Sequence, residues 1–349
     1  MNDPLRIGIV GAGRIVRAEH VPRFRAIPGV ELTAVANRTP ASSLAAGAEL
    51  GIPRVFDDWR QLVADPDVDA VLIGAWPVLH APVTIAALEG GKHVLTEARM
   101  AATAEDGRRM LATARRYPER VAMIVPASFS LWADATIRRQ LADGAIGAVR
   151  HVRALWDASG PADPGDAWRW RRRDSGENVM ALGILYEAMA RWLGRANAVT
   201  AVTRYGTKPR LGPDGPFMAD IPEHVLAILE FDGGLTATVE MSARTTPRDA
   251  NSITFFGTDG VLRLDLAAGQ LAIVPHGGDP APIEIAADDR AEWTAEIDFV
   301  AAIRGERPVT LTDFETGVHY MSVLEAIDRA ARSGRRERVR ADDPGADPR

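Results

Sequence analysis

Between Leu5 and about Pro126, short apolar runs rich in β-branched residues alternate with stretches whose apolar positions recur every three or four residues. The first pattern predicts strands and the second amphipathic helices, so the alternation predicts βαβ units around a parallel sheet. The runs at 5–10, 30–36, 69–74, 93–96 and 121–125 are almost continuously apolar, as strands covered on both faces must be. After Pro126 the order changes. A helical pattern from about Trp132 to Ala142 and another from about Val179 to Leu193 are followed by a strand-rich region. AspGlyGly at 232–234 and ThrAspGly at 258–260 each separate two strand runs and predict hairpin turns in an antiparallel sheet. Helical spacing returns at Trp293–Ile303 and Phe314–Ala331, and the segment from Arg335 is expected to fray.

A chain of 349 residues exceeds what one core usually organises, so two domains are expected. The pattern change places them at 1–126, a Rossmann domain, and 127–335, an α+β domain. Residues 336–349 are left as a tail. The fold class is α/β plus α+β, a Rossmann domain followed by a mixed, largely antiparallel, open-faced sheet. Composition adds exclusions. A net charge of -6 gives no electrostatic reason to bind nucleic acid or an anionic membrane, which leaves a small molecule as the expected partner. The absence of cysteine excludes disulfides, thiolate metal sites and a cysteine nucleophile. No two of the seven histidines stand at a metal-ligand spacing, so no metal is expected. No apolar run is long enough to span a bilayer, and no signal-peptide pattern precedes Leu5, so the expected location is cytoplasmic.

Gly11-Ala12-Gly13 directly follows a buried strand and opens a helix, the context in which a dinucleotide fingerprint has meaning. Gly11 permits the tight turn, and Gly13 lets the backbone approach a pyrophosphate at the positive helix end, with Arg14 and Ile15 next against the cofactor. The third glycine position is Val16, which should push the first helix slightly outward. The second strand ends in Asn37-Arg38-Thr39, where an NAD enzyme usually presents an acid to the ribose 2′-hydroxyl. An amide followed by a guanidinium suits a 2′-phosphate better, which tips the expectation from NAD towards NADP. A solvated loop arginine is the competing reading of Arg38.

GlyIleValGlyAlaGlyArgIle at 8–15, ValAlaAsnArgThr at 35–39, ProValLeuHisAlaPro at 77–82 and GluGlyGlyLysHisValLeuThrGlu at 89–97 together resemble the Gfo/Idh/MocA oxidoreductase family. AspGlyAlaIleGlyAlaVal at 143–149, GlyIleLeuTyrGluAlaMetAlaArgTrpLeu at 183–193 and the closing AlaIleAspArgAlaAlaArgSerGly extend the resemblance over nearly the whole chain. It implies a substrate held between an open-faced sheet and the nicotinamide, drawn from sugars, polyols and related carbonyl compounds. It also implies a homodimer or homotetramer formed through the open sheet. Glu97 and His80 are carried over as cofactor-proximal, and Trp76, where the family usually has proline, is placed against the cofactor or a substrate ring.

The departures fall on the chemistry. The family's Glu-Lys-Pro, whose lysine bonds the reacting hydroxyl, reads Glu97-Ala98-Arg99 here. Its Asp-x-Gly-x-His-x-x-Asp reads Ala181-Leu182-Gly183-Ile184-Leu185-Tyr186-Glu187-Ala188, so the usual proton relay cannot operate. An active dehydrogenase must then recruit another base for the hydroxyl proton. Candidates are Tyr186, if a cation lowers its pKa; Arg99, as that cation or as a carboxylate binder; and His80, as a donor. Packing alone also explains Tyr186 and His80. Trp168-Arg169-Trp170-Arg171-Arg172-Arg173 alternates ring and cation at period two. If extended, it offers Trp168 and Trp170 as an aromatic platform for a sugar, against the plainer reading of a solvated edge with buried tryptophans. Asn178 just precedes the helical stretch that carries Ala181, Leu185 and Ala188 and is assigned a substrate hydrogen bond.

Three functions fit this sequence: an NAD(P)-dependent oxidoreductase on a sugar-like carbonyl or alcohol with a non-standard proton donor; a redox-neutral lyase or glycosidase that uses tightly bound NAD as a transient oxidant; and a non-catalytic dinucleotide or metabolite sensor.

Overall fold

The computed structural model describes residues 3–158, 164–243 and 251–340. Six strands, β1 (Leu5–Val10), β2 (Val30–Ala36), β3 (Arg54–Phe56), β4 (Ala70–Ile73), β5 (His93–Thr96) and β6 (Ala122–Ile124), form a parallel sheet in the order β3-β2-β1-β4-β5-β6. Helices α1 (Val21–Ala26), α2 (Pro40–Leu50), α3 (Trp59–Ala64), α4 (Pro77–Glu89) and α5 (Ala104–Arg116) connect them. The continuous apolar runs have the cause expected. Val71 and Ile73 of β4 pack with α3, α4 and α5, while Ala70 and Leu72 pack with α1 and α2 on the other face. Strand β3 escaped the sequence pattern because its three residues are only half-buried and show no period.

After α6 (Leu131–Ala142) come β7 (Val149–Asp157), a 3-10 turn at Pro164–Trp170, α7 (Arg172–Ser175) and α8 (Leu182–Leu193). There follow β8 (Ala196–Arg204), the small hairpin of β9 (Arg210–Gly212) and β10 (Gly215–Phe217), β11 (His224–Phe231) and β12 (Thr236–Ser242). The remaining elements are β13 (Ser252–Gly257), β14 (Gly260–Asp265), β15 (Gln270–Pro275), β16 (Ala281–Pro282), α9 (Ala295–Ile303), α10 (Phe314–Ser333) and β17 (Glu337–Arg338). The nine-stranded sheet runs β16-β15-β14-β13-β7-β12-β11-β8-β17. Only β7 and β12 pair in parallel, and both predicted hairpins, β11–β12 and β13–β14, are present. One face of this sheet packs on α8 and α10; the other leaves Val202, Leu226 and Ile228 exposed.

One expectation is corrected, and one condition is not met. The segment after Arg335 is tied down through Arg338, because β17 pairs with β8 and Arg336 grips Glu230 with two nitrogens at 2.7 and 2.8 Å. Residues 341–349 lie outside the described residues. The stretch 168–173 is not extended: Trp168 and Trp170 end the 3-10 turn, and Arg172 opens α7 with its amide bonded to Asp220. With no partner strand, nothing holds the period-two alternation open, and local turns win. Helix α9 returns to the first sheet, burying Phe299 and Val300 against α1 and β1.

Candidate active site

The turn after β1 is built as its glycines require. Gly11 has φ +88°, and a Cβ there would lie 2.5 Å from the Ala75 amide. Around Gly13 the space is open, with only the Gly74 carbonyl at 3.7 Å from an added Cβ. Val16 does not force the helix away, because Gly74 at the end of β4 provides the missing room: a Cβ on Gly74 would meet Val16 at 2.2 Å. Asn37 is spent on this turn instead of on a ribose. Its Oδ1 accepts from the Ala12 amide at 2.7 Å and its Nδ2 donates to the Ser42 carbonyl. Two cavities of about 500 and 350 Å³ meet along Gly13, Gly74, Ala75 and Trp76. Arg38, Asp57 and Trp59 line the larger; Arg14, Ile15, His80, Glu97 and Ala98 line the smaller. Together they form a cleft shaped for the two halves of a dinucleotide.

Rings and cations close over that cleft. Arg38 lies 4.7 Å from the Trp76 ring, Trp76 stacks on Trp168 at 6.3 Å, and Arg169 covers Trp168 at 4.3 Å. Arg14 reaches Asp166 at 3.8 Å, a second contact between the Gly-rich turn and the 3-10 segment. Trp170 is not part of this platform; its ring is covered by Arg210 at 3.5 Å, beside the β9–β10 hairpin.

Glu97 ends β5 facing the smaller cavity, and behind it lies a network that sequence reasoning missed. His20 is fully buried, with Nε2 2.8 Å from Glu97 and Nδ1 2.5 Å from the buried Glu296, the latter close but poorly angled for a directed hydrogen bond. Both Glu296 oxygens accept from Trp293 Nε1 at 3.1 Å. Burial alone would drive His20 towards neutrality, but the two carboxylates win and raise it to about 9. At neutral pH the trio carries one net negative charge. Only chain return through α9 brings Glu296 to His20, and no local pattern signals it.

His80 lines the cleft, but its ring is committed to the backbone, Nδ1 2.9 Å from the Arg99 carbonyl and Nε2 2.9 Å from the Ala75 carbonyl. Burial holds its pKa below the usual value despite those acceptors, so the neutral ring donates its single N–H to one of the two carbonyls. Asn178 is likewise a peg: its Nδ2 donates to the Ala101 and Ser175 carbonyls. Arg99 is 3 % exposed. Its Nε has no acceptor, and no carboxylate lies within ion-pair range of it among the described residues. Burial, with Arg169 adding repulsion, pushes this guanidinium down to about 9.

Tyr186 leaves the list of candidate bases. Its hydroxyl accepts from the Ala196 amide at 2.9 Å and bonds His319 Nε2 at 2.8 Å, beside a separate cavity of about 250 Å³. Burial, with Arg195 adding repulsion, keeps His319 at about 4, hence neutral. Glu187 is buried and paired with Arg191 while accepting from the Ala127 amide. Among the described residues no cluster of His, Asp and Glu able to hold a metal is found, and no helix is long and apolar enough to cross a membrane.

Comparison with known proteins agrees with this geometry. Residues 5–124 match the oxidoreductase family GFO_IDH_MocA, NAD-binding Rossmann fold, and residues 135–263 match the C-terminal domain of the same family. Levoglucosan dehydrogenase of Pseudarthrobacter phenanthrenivorans is 29 % identical over 288 residues, covering 73 % of this chain and 72 % of that protein. D-xylose 1-dehydrogenase (NADP(+)) 2 of Haloferax volcanii is 28 % identical, covering 95 % and 98 %. The solved structure of levoglucosan dehydrogenase in complex with NADH and L-sorbose superposes with a TM-score of 0.83 at 22 % identity, covering 97 % and 99 %, which establishes a shared fold. With a Rossmann turn, a dinucleotide cleft and relatives that are sugar dehydrogenases, the chain belongs to the Gfo/Idh/MocA family of NAD-binding oxidoreductases.

Proposed function

We propose that the protein moves a hydride between a nicotinamide dinucleotide and a sugar-like alcohol or carbonyl, with Glu97 as the proton-accepting group in place of the family's lysine. A dinucleotide bound along the cleft supplies the hydride acceptor or donor. The observation that carries the reading is the Glu97 carboxylate at the mouth of the smaller cavity, held from behind by His20 at 2.8 Å. In the oxidation direction Glu97 takes the hydroxyl proton as the C–H bond yields its hydride. His20 fixes the carboxylate and returns no proton itself, because Glu296 keeps it charged. Arg38, unopposed by an acid at the end of β2, favours NADP. The exposed Val202, Leu226 and Ile228 fit the pairing of this sheet with a second copy of the chain.

A second reading has one observation in its favour. The Trp76–Trp168 stack and the Arg14–Asp166 contact join the cleft's two walls, which suits a cofactor retained through a redox-neutral cycle. One experiment separates the two. Purified protein is denatured and the released nucleotide weighed by mass spectrometry, and absorbance at 340 nm is followed with NAD(P)+ and a panel of aldoses, polyols and anhydrosugars. Net reduction lost in Glu97→Gln supports the dehydrogenase; stoichiometric bound NAD with turnover but no net absorbance change replaces it with the redox-neutral enzyme. Full activity in Glu97→Gln refutes Glu97 as base.

A further inference from the structure

Arg99 is a buried cation with no carboxylate within ion-pair range among the described residues. Leaving a guanidinium unpaired in the interior is strongly unfavourable, so such a group is retained where a ligand completes it. The surroundings are organised for an anion. The Arg99 stem lies against the first turn of α8, where a Cβ on Gly183 would meet its Cγ and Cδ at 3.5 Å. No side chain caps α8, and the Gly183 and Ile184 amides find no acceptor among the described residues. A helix N-terminus with unspent amides carries a partial positive charge, here beside a full one. Arg99 directly follows Ala98, which lines the smaller cavity together with Glu97.

The neighbouring charges are already engaged. Arg169, the other cation near Arg99, is held by Asp166 at 3.2 Å and by the Trp168 ring, and Glu97 and Glu296 both face His20. The Arg99 guanidinium has no carboxylate within ion-pair range among the described residues, and a ligand carboxylate matches its planar fork with two parallel hydrogen bonds. We propose that the substrate is a carboxylated sugar, a uronate or aldonate, whose carboxylate is held by the Arg99 guanidinium and the first-turn amides of α8. This inference rests on the proposed oxidoreductase reading, which it narrows from sugars in general to sugar acids. It also gives the erased relay positions a reason. Ala181 and Leu185 remove an acid and a ring that would compete for Arg99 or crowd a carboxylate.

Calorimetric binding on protein saturated with NAD(P)H tests it without turnover. The probes are D-glucuronate, D-galacturonate, D-gluconate and D-galactonate, set against D-glucose, D-galactose and D-glucose 6-phosphate. At least one carboxylated sugar is expected to bind on the order of ten-fold or more tighter than its neutral counterpart, with the preference gone in Arg99→Met and partly kept in Arg99→Lys. Ligand-free Arg99→Met is also expected to melt above the wild type, because a ligandless buried charge has been replaced by an apolar chain of similar length. The proposal is overturned if no carboxylated sugar shows an Arg99-dependent preference, if the sugar phosphate is preferred, or if Arg99→Met melts below the wild type, which would make the guanidinium a structural group. Arg99-dependent carboxylate binding without any hydride transfer would overturn the proposed function and leave this site standing.

Discussion

His20 makes a measurable claim about stability. Its ring is held charged between Glu97 and Glu296, so its pKa rises from the usual 6.5 to about 9 on folding. A group whose folded pKa exceeds its unfolded value contributes stability that is complete below the unfolded pKa and is lost as pH climbs through the folded one. At about 1.4 kcal/mol per tenfold change in proton affinity, this amounts to ~3 kcal/mol, present at pH 6 and gone by about pH 9.5. No discount for solvent applies, since the His20 and Glu296 side chains are wholly buried. His20→Gln removes the charge and leaves two carboxylates facing each other, so it should cost ~3 kcal/mol or more at pH 6 and abolish this component of the decline towards pH 9.5. Urea unfolding at fixed pH reads the effect through tryptophan fluorescence, because the Trp293 ring lies 5.6 Å from that of His20. Adding Glu296→Gln should restore part of the loss by removing the surplus negative charge. Identical pH slopes in wild type and His20→Gln would show that the ring is not held charged, and the account of Glu97's support would fall with it.

Tyr186→Phe is expected to lower stability by about 1–3 kcal/mol, since it removes the hydroxyl that accepts from the buried Ala196 amide and bonds His319, while kcat and KM stay unchanged. Loss of turnover at unchanged stability would return Tyr186 to the catalytic role. His319, held near 4 by burial, should make wild-type stability fall as pH drops from about 6.5 to 4, because the unfolded ring takes up a proton that the folded ring refuses; His319→Gln should flatten that limb in acid unfolding curves. Arg38→Ala should weaken NADP binding on the order of ten-fold or more while leaving NAD nearly unaffected in fluorescence titrations, and equal losses for both would remove Arg38 from cofactor choice.

The first third of the chain was legible because its signals are local. Strands buried on both faces announce themselves by continuous apolar runs, and Gly11-Ala12-Gly13 works through turn geometry that depends on few distant residues. Even there, neighbours changed the meaning of single positions. Val16 looked like a misfit until Gly74 supplied the space, and Asn37 looked like part of a 2′-phosphate site until the Ala12 amide claimed it. In the second half, periodicity located α8 and both hairpins but left 168–173 undecided, since an alternating pattern specifies a strand only when a neighbouring strand pairs with it.

What the sequence determined by itself was the dinucleotide turn, the two sheets and the loss of the family's lysine, aspartate and histidine. Whether a polar side chain is free to act depends on what lies across from it, and that is set by contacts between residues far apart in the chain. Tyr186 and His80 carry suitable chemistry but are consumed by Ala196, His319 and backbone carbonyls. Glu97 gains its support from His20, 77 positions away, and that ring in turn from Glu296 on a returning helix. Arg99 stood out in the sequence as a candidate carboxylate binder, but only the tertiary structure shows that its charge is buried with no carboxylate in ion-pair range among the described residues.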